Sequence, residues 1–175
     1  MKKQQVDHFL RAAGRITGER RFVIVGSQAL HGTHPDLADE IRRSAEVDLI
    51  AATLSERTDW LNAIGQDSEF HETFGYYADP LDERTAVLPA GWRQRLVELA
   101  AGETDGVTAG CLEPHDLAIS KYVAGRPKDR AFTRELARRQ ITSRATLLER
   151  LEQTAISDEL RNRLRQQIDA DFAPG

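Results

Sequence analysis

An α+β fold, a small mixed β-sheet flanked by helices with a C-terminal helical lobe, is predicted by three features of this 175-residue chain. A β-branched run, Phe22-Val23-Ile24-Val25, stops at Gly26-Ser27, as a buried strand does on entering a turn. Glu46-Val47-Asp48-Leu49-Ile50 alternates acidic and apolar residues with the period of two that marks a half-buried strand. Beyond Pro114 the spacing becomes helical, and no linker rich in Gly, Ser or Pro interrupts it. The expected division is an α/β core over residues 1–112 and a helical lobe over 113–175, packed on the core as one compact unit.

Taken in order, residues from Gln5 to Thr17 set Val6, Phe9, Leu10, Ala13 and Ile16 on one helical face, and Gly18 ends that helix. The first strand follows, and Ser27 to His31 opens a second helix. Glu46 to Ala51 is the second strand, and Ser55 to Ile64 is a helix with Ser55 as its N-cap and Gly65 as its end. Glu72 to Pro80 reads as a strand running into a turn, and Thr85 to Leu88 as a further short strand. Trp92 to Leu99 suits a strand or a turn of helix, and Val107 to Leu112 is the last strand, with Cys111 as a buried thiol. Four helices are expected at about 115–124, 128–140, 143–153 and 157–170, with Thr142-Ser143 and Ser157 supplying N-caps to the last two.

The chemistry is concentrated at the first turn and the second strand. Gly26 lets the backbone approach an anion closely, and the N–H groups of a helix beginning at Ser27 would face the same point. Side chains alternate along a strand, so Glu46 and Asp48 must project together, about 7 Å apart. Two such carboxylates repel one another unless a cation lies between them, and their hard oxygens suit magnesium or manganese. The plain alternative is a solvated acidic edge beside an ordinary strand–helix turn.

Strand, Gly-Ser, helix and acid-x-acid, here Gly26, Ser27, Glu46 and Asp48, resemble the nucleotidyltransferase superfamily typified by DNA polymerase beta. A second segment runs from Glu113 through Asp116, Leu117, Lys121 and Gly125-Arg126-Pro127-Lys128-Asp129. It is similar to one found in AbiEii-like bacterial toxin nucleotidyltransferases and their uncharacterised relatives. The resemblance implies a nucleoside triphosphate with Mg2+ or Mn2+ on Glu46 and Asp48 as catalytic and metal-binding residues. It places Gly26, Ser27, Lys121, Arg126 and Lys128 at the nucleotide, with a tRNA or protein acceptor and a toxin–antitoxin or phage-defence setting that includes a cognate antitoxin. The chain departs from the pattern in a long insertion between Ser27 and Glu46, and in Ala131-Phe132-Thr133, where the AbiEii-like segment carries a further Asp. A third carboxylate from a later strand is also expected, with Asp79 and Glu98 as the candidates. The competing reading is a catalytically inactive binding module or antitoxin of the same fold.

Composition narrows the classes further. A single cysteine excludes an internal disulfide and a cysteine-built zinc cage. The chain has no apolar stretch near the ~18 residues of a membrane span, nor a secretory signal behind Met1, so a cytoplasmic protein is expected. His31 and His34 are separated by Gly32 and followed by Pro35, which favours a loop over a zinc site. His71 has no Ser or Cys pattern around it to suggest a triad. Charge is polarised: residues 36–105 carry 16 acids against 6 Lys and Arg, whereas residues 115–150 carry 9 Lys and Arg against 4 acids. The basic stretch admits a third reading, a small nucleic-acid-binding protein acting through its helices alone. Phe74, Tyr76 and Tyr77 suit either a half-buried strand or base stacking.

Overall fold

The computed structural model describes residues 1–36, 44–53, 55–81, 86–100 and 102–173, and shows two compact units. One comprises residues 1–85 and 96–112, and the other residues 86–95 and 113–175. The first holds a five-stranded mixed sheet, β1 (Arg21–Ile24), β2 (Glu46–Ala51), β3 (Tyr77–Pro80), β4 (Val97–Glu98) and β5 (Thr108–Cys111), in the order β3-β2-β1-β5-β4. β1 is antiparallel to β2 and parallel to β5, β2 is parallel to β3, and β4 is antiparallel to β5. The mixed sheet flanked by helices is the fold class the sequence predicts.

Helix α1 (Lys3–Thr17) buries Val6, Phe9, Leu10 and Ala13 and packs against the 3-10 helix Ser55–Ile64. Gly18 ends α1 at φ 74°, a left-handed turn that glycine adopts without a Cβ penalty. Phe22, Val23 and Ile24 of β1 are buried, as befits the middle strand of a covered sheet. The buried carboxylate of Glu19 accepts hydrogen bonds from the N–H groups of Arg20 (2.8 Å), Arg21 (3.0 Å) and Thr53 (2.8 Å). It thereby ties the start of β1 to the chain just beyond β2. Cys111 lies buried on β5, and burial pushes its thiol up to about 12, which removes it from reactive chemistry.

Three expected elements differ. Ser27–Gly32 is a six-residue 3-10 helix rather than the opening of a longer one, curtailed ahead of Pro35. Residues 72–74, read as strand, belong to helix α2 (Glu69–Phe74), which Ser68 caps by accepting from the His71 N–H and Gly75 ends at φ 75°. Residues 86–88 form no strand, and Thr85 lies outside the described residues, as does the Ser55 side chain expected to cap its helix. Trp92 to Leu99 is both of its alternatives in turn, a 3-10 helix (Trp92–Arg95) and then β4.

The second unit is helical: α3 (Pro114–Ala124), α4 (Pro127–Arg138), α5 (Arg144–Glu152) and α6 (Asp158–Asp171). Ser143 and Ser157 cap α5 and α6 by accepting from the Thr146 and Leu160 N–H groups. Leu117, Ile119, Leu136, Leu151 and Ile168 form its apolar centre, each burial contributing roughly 1.5–3 kcal/mol. Asp116, fully buried, is held by Arg95 through two contacts (2.8 and 3.0 Å) and by Arg150 at 3.4 Å. His115 accepts the Ser143 N–H on Nε2 (2.9 Å), so Nδ1 carries the proton and donates to Glu113 (2.6 Å). No helix among the described residues is long and apolar enough to cross a membrane.

Candidate active site

The end of β1 and the middle of β2 run side by side, the Val25 N–H donating to the Asp48 carbonyl at 3.0 Å. Gly26 comes next, and a Cβ built on it would fall 1.5 Å from Asp48 Oδ2 and 2.5 Å from Cγ. Its φ of −94° suits any residue, so what matters at this buried position is the missing side chain. The glycine makes room for the carboxylate, and two motifs 22 residues apart in sequence become one object in space. Ser27, half-buried, opens the 3-10 helix beside them.

Glu46 and Asp48 share the half-buried face of β2, while Val47 and Leu49 are fully buried on the other. β3 lies alongside in a register that pairs Glu46 with Tyr77 and Asp48 with Asp79. Paired residues on adjacent strands project to the same side about 4.8 Å apart. Asp79 therefore joins the acidic pair. The other candidate third acid, Glu98, does not: it lies on β4, separated from β2 by β1 and β5, and its carboxylate faces the Arg21 guanidinium at 3.2 Å.

Two neighbours not anticipated in these roles set the geometry of the acids. Burial raises the Tyr77 phenol pKa, and the charges of Glu46 and Asp79, a hydrogen bond to Glu46 and the charge of Asp48 raise it further. That one hydroxyl senses all three carboxylates. The signal was in the spacing, since Tyr77 stands two residues before Asp79 and so shares its face of β3. Gln28, buried in the 3-10 helix, donates Nε2 to the Ser44 carbonyl at 2.9 Å, and Ser44 Oγ accepts the Glu46 N–H at 3.3 Å. These bonds fix the entry to β2. No sequence pattern marks Gln28.

Beside the acids lies a cleft of ≈ 280 Å³ lined by Glu46, Asn62, Gly65, Gln66, Tyr77 and Asp79, among others. Its outer wall meets the sheet where Gly65 bridges Ala78 on the edge of β3. Tyr76, by contrast, is buried in a ring cluster with His8, Phe70 and Phe74, its hydroxyl 2.6 Å from His8 Nδ1. His31 is buried with Nε2 3.0 Å from the Met1 carbonyl, and His34 Nδ1 lies 2.8 Å from the Thr33 hydroxyl.

Among the described residues no group of three or more His, Cys, Asp and Glu is gathered closely enough to hold a metal by itself. The donor set of Glu46, Asp48 and Asp79 nevertheless suits magnesium, which binds through one or two carboxylates and completes its shell with water and substrate phosphates. The remaining candidates belong to the helical unit. There Lys121 Nζ is 3.8 Å and Arg126 Nε 2.7 Å from the buried Asp129 carboxylate, and Lys128 is exposed.

Comparison with curated proteins and with solved structures gives no match. A family model does match, over residues 3–172, and its description is "Nucleotidyltransferase of unknown function (DUF6036)". With the match running along nearly the whole chain, the protein belongs to this nucleotidyltransferase family.

Proposed function

We propose that this chain is a metal-dependent enzyme that transfers a nucleoside monophosphate from a nucleoside triphosphate to a hydroxyl on an RNA or protein acceptor. The observation that supports it most is the register of β2 and β3, which sets Asp79 beside Asp48 on the face that also carries Glu46. Magnesium or manganese, when bound on Glu46 and Asp48, offsets phosphate charge and acidifies the acceptor hydroxyl.

The chain's own residues divide the work. Asp48 carries its carboxylate in the space that Gly26 leaves by having no side chain. The Glu46 carboxylate is hydrogen-bonded to Tyr77, and the Glu46 backbone N–H donates to the Ser44 hydroxyl. Asp79 borders the cleft and is proposed to take a hydrogen bond from an incoming hydroxyl. The Gly26-Ser27 turn offers the triphosphate its backbone and a hydroxyl, and Lys121, Arg126 and Lys128 are proposed as phosphate or RNA contacts. A toxin–antitoxin or phage-defence setting rests on the AbiEii-like segment over residues 113–130.

Calorimetric titration with each nucleoside triphosphate, with and without Mg2+, tests the reading when repeated on Asp48→Ala. Binding that needs the metal and is lost in the variant is the expected result. Binding indifferent to both metal and substitution would identify a catalytically inactive module instead.

A further inference from the structure

We infer that Gln28 is a positioning residue that couples the phosphate turn to the metal-binding strand, so that triphosphate and metal are held as one two-point ligand. The inference rests on the nucleotidyltransferase reading and adds to it a residue that acts through the backbone of Ser44. Gln28 immediately follows Ser27 in the 3-10 helix Ser27–Gly32 and is fully buried. Its Nε2 donates to the Ser44 carbonyl at 2.9 Å, 16 residues further along the chain, and the Ser44 hydroxyl accepts the Glu46 N–H at 3.3 Å. One side chain thus joins the turn to the residue that seats the first acid.

On the other flank of the turn, the Val25 N–H donates to the Asp48 carbonyl at 3.0 Å, and the missing side chain of Gly26 leaves room for the Asp48 carboxylate. Gly26-Ser27 is therefore fastened to β2 and its entry from both sides, by backbone at Val25 and by a side chain at Gln28. The second fastening closes the long insertion between Ser27 and Glu46 at its base. A connection of that length carries conformational freedom of its own, and a bond between its two ends keeps that freedom out of the site. A buried amide is costly unless hydrogen-bonded, and an apolar side chain of similar size would fill the same space without that demand. What the amide adds is the link to Ser44. On the nucleotidyltransferase reading, a magnesium triphosphate engages two places at once, its phosphates at the turn and its metal on Glu46 and Asp48. The affinity of such a ligand depends on how stiffly the two places are held together, because a stiff link raises the effective concentration of the second contact. Gln28 supplies that stiffness.

Calorimetric titration of the intact protein with ATP, GTP, CTP and UTP, each with and without Mg2+, measures the gain in affinity that the metal brings. In Gln28→Met, which keeps the length of the side chain and removes the donor, that gain should fall about tenfold while metal-free affinity stays at the wild-type level. Ser44→Ala removes the hydroxyl further along the link. It should lower the gain about threefold, and the double variant should fall no further than Gln28→Met alone, because the two bonds act in series. A full Mg2+ gain in Gln28→Met, whatever the change in thermal midpoint, would overturn the inference, since the bond would then serve the fold alone. Equal losses with and without Mg2+ would overturn it too, as would losses that add in the double variant. Should Gln28→Met fail to fold, Ser44→Ala decides by itself, and an unchanged gain there contradicts the coupling. A wild type that binds no nucleotide, or binds it without regard to Mg2+, would instead bring down the reading beneath.

Discussion

The two units place their carboxylates in different settings. In the helical unit, Asp116 sits between Arg95 and Arg150, Asp129 is held by Arg126, and Asp171 takes the Tyr122 hydroxyl (2.9 Å) and faces Arg134. Each buried negative charge meets a positive one. In the sheet unit, Glu46, Asp48 and Asp79 are set beside one another, half-buried, around a phenol whose ionisation they oppose. Carboxylates gathered on one strand face deepen the local negative potential, which is what the proposed metal role requires.

Substitutions should separate the two sharply. Asp48→Asn keeps the shape of the site and removes a charge, and nucleotidyl transfer is expected to fall by about 10³-fold or more with little loss of thermal stability. Asp116→Ala should do the reverse. It strands Arg95 and Arg150 around a buried gap and is expected to cost about 3 kcal/mol, read as a lowered denaturation midpoint of the helical unit, with the Asp48 site still able to bind its metal and nucleotide.

Gly26→Ala sharpens the contrast. Its Cβ claims the space of the Asp48 carboxylate, so transfer should drop about 10²-fold while circular dichroism stays unchanged. Stability that instead collapses would show the contact to be structural.

The smallest effect concerns pH. Burial raises the Glu113 pKa, but hydrogen bonds from the His115 side chain and from the His115 and Asp116 backbone N–H groups outweigh it and leave the value lowered from 4.5. A lowered folded-state pKa means stability that is present above about 4.5 and lost as pH falls through the folded value. Glu113→Gln should remove that acid limb at a cost of about 1 kcal/mol or less at neutral pH, since the pair is partly solvated. Thermal midpoints measured from pH 7 to pH 3 would check it.

Much of this was legible in the residues. β2 was read with its observed ends, because alternation of acids with Val47 and Leu49 admits only one face for each, and the α5 and α6 caps were read from Ser143 and Ser157. α2 was missed because Phe74, Tyr76 and Tyr77 speak for strand, although Ser68 and Gly75 bracket a helix six residues long. The Gly26–Asp48 contact and the choice of Asp79 over Glu98 were beyond local pattern. Both depend on strand order, which brings β3 against β2 and leaves β4 at the far edge.

Pyrophosphate release by Asp79→Asn and Glu98→Gln, compared with the wild type in one assay, tests the three-acid face most directly. Release abolished by Asp79→Asn and retained by Glu98→Gln, whose carboxylate serves Arg21 instead, is the expected outcome. Release that survives Asp79→Asn, or that is lost in Glu98→Gln while the sheet remains folded, would contradict it.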